Sequence, residues 1–173
     1  MSTVYDQIMS LRSVRQYSDK PLSDEHLDQI LEAARWTGSA KNLQLWSFIV
    51  VDGEQKERLC AAGDFTTPLA NAPVAIALVQ EPHGYEFDTG RLAQNIMLAA
   101  ASLGVVSCPI TLHRDEVAAE VLGLPEGARA RYAVSLGYPP EDGKIARFGG
   151  QGGRKDRSDV IYHNTHGTPF DGS

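Results

Sequence analysis

Residues 73–79 constrain the fold of this chain more than any other segment. They form an unbroken apolar run, Pro-Val-Ala-Ile-Ala-Leu-Val, which is typical of a strand buried on both faces. Other short apolar runs, rich in β-branched residues, predict three more strands at 46–51, 105–110 and 131–136. A sheet that contains such a buried strand needs further elements packed against it.

Helix signals separate these strands. Thr3 and Asp6 have the spacing of a loose capping box for a helix at 3–10, and Ser23 is a favoured N-cap for a helix that stops by Gly38. Helical patterns follow at 55–62, 87–103 and 114–122. Because helices and strands alternate, we predict an α+β fold with an α/β-type mixed sheet flanked by helices.

The whole chain, 1–173, is predicted to be one domain. Its length suits a single core, and no repeat or linker divides it. Glycine and proline dominate after Gly137, so residues 140–173 are predicted to form an extended C-terminal arm. Such an arm is either disordered or packed on a partner subunit. Its aromatic and basic residues (Phe148, Arg154, Tyr162) favour packing on a partner.

Composition and missing motifs exclude several classes of protein. A net charge of −6 argues against nucleic-acid binding, and no apolar run approaches the ~20 residues that span a membrane. Without a secretory signal, and with only Cys60 and Cys108 as cysteines, the expected location is cytoplasmic. No resident-dinucleotide fingerprint, Walker loop, nucleophile elbow or zinc-protease motif occurs, and His163 and His166 lack further ligands, so no metal site is predicted.

The end of the first helix carries a cluster of positive charge. Arg12, Ser13 and Arg15 supply two guanidiniums and a hydroxyl within four residues, which suits a phosphate or an electron-rich ring edge. Alternatively, the two arginines complement the negative C-terminus of that helix. Five more basic residues lie between positions 144 and 157.

A second polar segment lies between a helix and a predicted strand. Its loop carries Ser39, Lys41, Asn42 and Gln44. Loops of this kind often carry binding sites, although their amides also satisfy backbone groups in ordinary connections. By itself this loop does not decide between the two roles.

Together these segments resemble the nitroreductase family of FMN-dependent oxidoreductases. Arg-Ser-x-Arg-x-Tyr at 12–17 comes about 25 residues ahead of Ser-x-x-Asn-x-Gln-x-Trp at 39–46, and a Phe-Ile-Val-Val strand follows. Residues 88–100 are similar to the family's central helix, 136–139 to its last strand and turn, and 153–163 to its C-terminal segment. The resemblance covers nearly the whole chain, with five short motifs in the family's order.

The resemblance implies a nitroreductase-like fold and a homodimer with FMN at the interface. Arg12 and Ser13, with Arg154 or Lys155, would then hold the phosphate, and Arg15 would reach the pyrimidine edge of the isoalloxazine. The other subunit would supply Ser39, Asn42 and Gln44 to the same FMN. Pro109 and Ile110 would lie against the ring.

The implied activity is hydride transfer from NAD(P)H through FMN to a nitroaromatic, quinone or similar small-molecule acceptor by a ping-pong mechanism. The flavin would carry the chemistry, and Arg15 would stabilise the negative charge of the reduced ring. Dehalogenation, flavin fragmentation and azoline dehydrogenation on the same fold stay open. A flavin- or ligand-binding module without turnover and a purely structural domain are the alternatives from other classes.

The chain also departs from the family's pattern. Leu11 stands where many members have an arginine, which removes one phosphate partner. Gly38 and Leu45 replace prolines, which loosens the loop between them. The stretches 63–72 and 80–88 are too brief for the inserted helices that wall the substrate pocket of larger members.

Overall fold

A computed structural model describes residues 3–143 and 153–170. Four strands form one sheet in the order β1-β2-β4-β3: β1 (Trp46–Val51), β2 (Val74–Gln80), β3 (Val106–Thr111) and β4 (Arg129–Gly137). Six α-helices surround it in the described residues: α1 (Val4–Ser10), α2 (Asp24–Arg35), α3 (Gly53–Leu59), α4 (Thr67–Asn71), α5 (Glu86–Ser102) and α6 (Asp115–Leu122). None of these helices has the length and apolar character needed to cross a membrane.

Strand β2 lies inside the sheet and is buried on both faces, which confirms the prediction from its apolar run. Alternate side chains of a strand point to opposite faces. Val74, Ile76 and Leu78 therefore pack in one core with α2 and α5, while Ala75 and Ala77 pack in a second core with α3, α4 and α6. The result is three layers, with helices on both faces of the sheet.

The predicted α+β class is confirmed, but the sheet is antiparallel rather than mixed. All three neighbouring pairs of strands run antiparallel. Helix α5 carries the chain back along the sheet, so that β2 and β3 run in the same direction. Strand β4 lies between them and runs opposite to both. In the described residues, the one parallel contact is a single bridge between Ser13 and Ser107.

Helix α1 is capped as predicted but contributes no residue to the core. The Thr3 amide donates to Asp6 Oδ2 (3.0 Å), and the Asp6 amide donates to Thr3 Oγ1 (3.1 Å), which together form the capping box. The apolar side chains of α1 are more than half exposed: Val4, Tyr5, Ile8 and Met9. In a single chain, α1 thus presents an uncovered apolar surface.

The stretch 63–72 contains the short helix α4, for which the sequence has no clear pattern. A buried lysine holds this helix in place. Lys56 on α3 is 6% exposed, and its Nζ donates to the carbonyl oxygens of Ala70 (2.8 Å) and Ala72 (2.5 Å) at the end of α4. The ammonium group satisfies carbonyls that the end of a helix leaves without partners.

Part of the predicted arm is described. Residues 153–170 contain a 3-10 helix, Arg157–Asp159, and a small hairpin in which Tyr162 and Pro169 form an antiparallel bridge. Val160 and Phe170 are about half exposed in it. The rest of the arm after position 143, at 144–152 and 171–173, lies outside the described residues, and so do Lys144, Arg147 and Phe148.

Candidate functional site

The segment after α1 runs along the outer edge of β3. Ser13 forms a bridge with Ser107, and the Val14 amide donates to the Ser107 carbonyl (2.8 Å). Val14 is buried, whereas its neighbours Ser13 and Arg15 are half-buried. Because side chains alternate along extended backbone, burial of Val14 directs Ser13 and Arg15 away from the core.

A polar chain lies behind Arg15. The Tyr17 hydroxyl lies 2.7 Å from Ser135 Oγ and donates to the Val14 carbonyl (3.0 Å). Ser135 Oγ, which is fully buried, donates in turn to the Cys108 carbonyl (3.1 Å). These bonds connect the segment that carries Arg15 with both β3 and β4.

Burial shifts two titratable groups beside Arg15. It raises the pKa of Tyr17 well above its ordinary range, against the smaller lowering effects of the Ser135 hydrogen bond and the Arg15 charge. Burial also raises the pKa of the Cys108 thiol, and Arg15 again opposes the shift. Since both groups stay protonated at neutral pH, neither becomes an anion that would cancel the positive charge of Arg15.

Tyr17 should make stability fall in alkaline solution. The unfolded chain loses the phenolic proton above its ordinary pKa of 10.0, while the folded protein retains it. The unfolding free energy should therefore fall by up to about 1.4 kcal/mol per pH unit above that value. The unfolding free energy is measured by urea titration at pH 7 and between pH 10 and 11. In Tyr17→Phe, this part of its fall with pH should be absent. An equal fall of the unfolding free energy with pH in both proteins would contradict the raised pKa of Tyr17.

Arg12 contacts the C-terminal end of α1, which is the alternative role that the sequence allowed for it. Its Nη1 donates to the carbonyl oxygens of Met9 (2.9 Å) and Leu11 (2.7 Å) at the end of α1. Cations at this position are favoured by the helix dipole. The side chain is exposed, and both bonds use one of its two terminal nitrogens.

The polar loop ahead of β1 has an unusual backbone. Lys41, Asn42 and Gln44 have φ values of 53°, 55° and 51°, a left-handed conformation that non-glycine residues rarely adopt. Ser39 Oγ accepts from the Gln44 amide (2.9 Å) and closes the loop, and Gln44 Nε2 donates to the Asn42 carbonyl (3.3 Å). Strain of this kind persists where surrounding contacts hold it, and it clusters at functional sites.

Two side chains of α5 hold the start of this loop. Arg91 Nη1 donates to the Gly38 carbonyl (2.5 Å), and Asn95 Nδ2 donates to Thr37 Oγ1 (2.7 Å). Neither contact was predicted from the sequence. Arg91 is 53 residues from Gly38 in the sequence, and Asn95 is 58 residues from Thr37. Neither pair stands out in the sequence.

The structure does not bring the two candidate segments together within one chain. The loop at 39–44 precedes β1, at one edge of the sheet, whereas Ser13 contacts β3 at the other edge. Three strand spacings, about 14 Å, separate the edges. The loop also lies near the strand end formed by Trp46 and Gln80, while Ser107 pairs with Leu136 at the opposite end. The segments therefore occupy diagonally opposite corners of the sheet.

The remaining candidate residues lie on β3 and in the arm. Pro109 is exposed on this edge strand, where its missing N–H costs no strand pairing. The side chain of Ile110 is buried in the core with α3 and α6, which leaves its backbone as the part available to a ligand. Arg154 and Lys155 are exposed in the arm. Among the described ranges, no cluster of three or more histidine, cysteine or acidic side chains could hold a metal ion.

Known proteins resemble this chain in both sequence and fold. An Archaeoglobus fulgidus protein, provisionally named NADH dehydrogenase/NAD(P)H nitroreductase, is 36% identical over 82% of this chain and 88% of its own. The oxygen-insensitive NADPH nitroreductase of Salmonella typhimurium is 29% identical over 82% and 68%. The FMN-dependent nitroreductase structure from Clostridium difficile R20291 superposes with a TM-score of 0.74 at 28% identity, covering 92% of this chain and 98% of its own.

A family model gives the same result over most of the sequence. The model of the nitroreductase family matches residues 8–62 and 66–138. These ranges contain the segment at 12–15, the loop at 39–44 and the whole four-stranded sheet. The chain therefore belongs to the nitroreductase family.

Proposed function

We propose that this chain is an NAD(P)H-dependent oxidoreductase that holds FMN between two copies of itself. It takes hydride from NAD(P)H and passes electrons to a nitroaromatic, quinone or similar small-molecule acceptor by a ping-pong mechanism. The names of the relatives support the electron donor and the flavin. A cytoplasmic location belongs to the same proposal, and the free thiols of Cys60 and Cys108 are consistent with it.

The observation that carries the proposal is the separation of the two polar segments. A single chain places Arg15 and the loop at 39–44 at opposite corners of its sheet. In the proposed two-fold dimer, the Arg15 corner of each copy faces the 39–44 loop of its partner. This arrangement creates two equivalent composite sites. The exposed apolar face of α1 supports such an assembly, because an uncovered surface of this kind is typical of an interface.

The chain's own residues fit FMN. The half-buried Ser13 and Arg15 present a hydroxyl and a guanidinium beside β3, on which Pro109 is exposed. Arg12 adds positive charge next to them. In the proposed site, Ser13 and Arg12 bind the phosphate, with Arg154 or Lys155 from the arm, while Arg15 lies beside the ring. Leu11 contributes no charge, so the phosphate has fewer partners than in members with arginine there.

When bound, FMN supplies the two-electron carrier of the proposed reaction. Arg15 would place a fixed positive charge beside the ring. Because the reduced cofactor carries more negative charge than the oxidised one, this charge favours reduction. Tyr17 and Cys108 are both held in their protonated forms, so neither of them places a negative charge beside Arg15. The other copy supplies Ser39, Asn42 and Gln44 as hydrogen-bonding groups for the ring.

The test is a visible absorption spectrum of the purified protein, repeated after anaerobic addition of NADPH and then NADH. We expect a flavin spectrum that bleaches with at least one of the two donors. A flavin spectrum that both leave unchanged would contradict the redox activity and favour a flavin-binding module. A colourless protein that also fails to take up added FMN would contradict the proposal altogether.

A further inference from the structure

The loop at 39–44 keeps a strained backbone although most of it is exposed. Lys41, Asn42 and Gln44 are all exposed and all have positive φ. Within one chain, burial therefore does not stabilise this conformation. The support that a single chain provides comes from hydrogen bonds at the two ends of the loop.

The C-terminal end of the loop is closed internally, whereas its N-terminal end is held by α5. Ser39 Oγ accepts from the Gln44 amide. Arg91 Nη1 reaches across to the Gly38 carbonyl at 2.5 Å, which is shorter than its 3.5 Å separation from Asp88 Oδ1 on its own helix. The guanidinium also lies 5.8 Å from the Phe87 ring. These contacts fix the direction in which Arg91 extends.

Gly38 is the residue that admits Arg91. A methyl group at position 38 would lie only 2.9 Å from Arg91 Nη2. The φ of Gly38 is not in the left-handed region, so its backbone conformation does not require glycine. A side chain at position 38 would therefore require the end of the Arg91 side chain to move.

We propose that Arg91 is a positioning residue that, through its bond to Gly38, holds the 39–44 loop in the conformation that presents Ser39 and Asn42 to the ligand. This inference rests on the proposed function. Arg91 acts on the backbone ahead of the loop, and Asn95 supports the same turn through the buried Thr37 hydroxyl. The binding geometry of this loop thus depends on a helix side chain as well as on the loop's own Ser39.

Two substitutions test this proposal from opposite sides of the contact. Gly38→Ala displaces the guanidinium without altering Arg91, and Arg91→Met removes it without altering the loop. Gly90→Ala is the matched control, because a methyl group there has nothing within 4 Å and adjoins Arg91 on the same helix. Arg91→Lys retains a donor without the planar fork and should restore part of any loss.

The first readout is hydrogen–deuterium exchange of the loop amides, including Gln44, which does not require a bound flavin. We expect exchange about 10-fold faster in Gly38→Ala and in Arg91→Met, from the loss of one charge-assisted bond. The double variant should be no faster than either single variant, since both remove the same contact. Unchanged loop exchange in both single variants would overturn the proposal.

The second readout is the FMN dissociation constant, measured by fluorescence titration of the flavin-free protein. It should rise about 10-fold in both single variants, without additivity in the double variant, and stay unchanged in Gly90→Ala. Faster loop exchange with an unchanged dissociation constant would overturn the positioning role. If the unmodified protein fails to bind FMN, the proposed function fails, and the exchange data alone then decide whether Arg91 orders the loop.

Discussion

Replacement of Arg15 with alanine is expected to weaken FMN binding by about 10- to 100-fold, the equivalent of one charge-assisted hydrogen bond worth about 1.5–3 kcal/mol. Arg15 is half-buried, and the neighbouring Tyr17 is bonded to Ser135 and Val14. Loss of Arg15 removes the positive charge nearest the proposed ring site. Reduction by NAD(P)H should slow as well, because that charge favours the reduced cofactor.

Fluorescence titration of the flavin-free protein and stopped-flow reduction measure these two effects. Arg58→Ala is the matched control, because it removes the same charge from an exposed position on α3. Arg15→Lys keeps the charge but loses the planar fork and should fall between the other two proteins. An Arg15→Ala protein with unchanged affinity and reduction rate would show that Arg15 is not part of the site.

The largest expected loss of stability comes from Lys56→Met, which should lower the unfolding free energy by about 3 kcal/mol. Methionine keeps the apolar stem packed but leaves the Ala70 and Ala72 carbonyls without their donor. Both acceptors lie at the end of α4, where no further turn of helix replaces the lost bonds. Helix α4 should therefore separate from α3.

Urea titration of the flavin-free protein, at one fixed protein concentration, measures this loss. Fixed conditions matter because ligand and assembly both raise apparent stability. The control is Arg58→Met, on the same helix but exposed. A loss below about 1 kcal/mol for Lys56→Met, within the range of ordinary substitutions, would contradict the role assigned to the ammonium group.

Patterns local in sequence predicted most of the secondary structure. The apolar run at 46–51 matches β1 at both ends, and the capping box of Thr3 and Asp6 is present in atomic detail. Helix α4 was missed because it has only five residues and is held by Lys56 from another helix. The mixed sheet was predicted because alternating helices and strands usually produce one. The insertion of β4 between β2 and β3 is a property of the topology that no local pattern contains.

The candidate site was predictable to a similar depth. The residue types at 12–15 and 39–44 identified two polar segments, and the family resemblance assigned them to one cofactor. The cap that Arg12 forms on α1 was foreseen as an alternative. The contacts of Arg91 with Gly38 and of Tyr17 with Ser135 were not foreseen, because they join residues that are distant in sequence. Their existence depends on packing, which one sequence does not reveal.

The central claim, that each flavin lies between two copies of the chain, is tested most directly by mixing two damaged proteins. One carries Arg15→Ala. The other carries Ser39→Ala with Asn42→Gly, where glycine removes the side chain without adding strain at a positive φ. In a mixed dimer, one site combines both sets of defects, and the other combines two intact halves.

The measurement is bound FMN per dimer after the two proteins are unfolded together, refolded in equal amounts and separated from free flavin. We predict that the mixture recovers about a quarter of the sites of the unmodified protein, because half of the dimers are mixed and each of these has one intact site. Each damaged protein alone should bind little FMN. A mixture that binds no more than the mean of its two components would contradict a site shared between two copies.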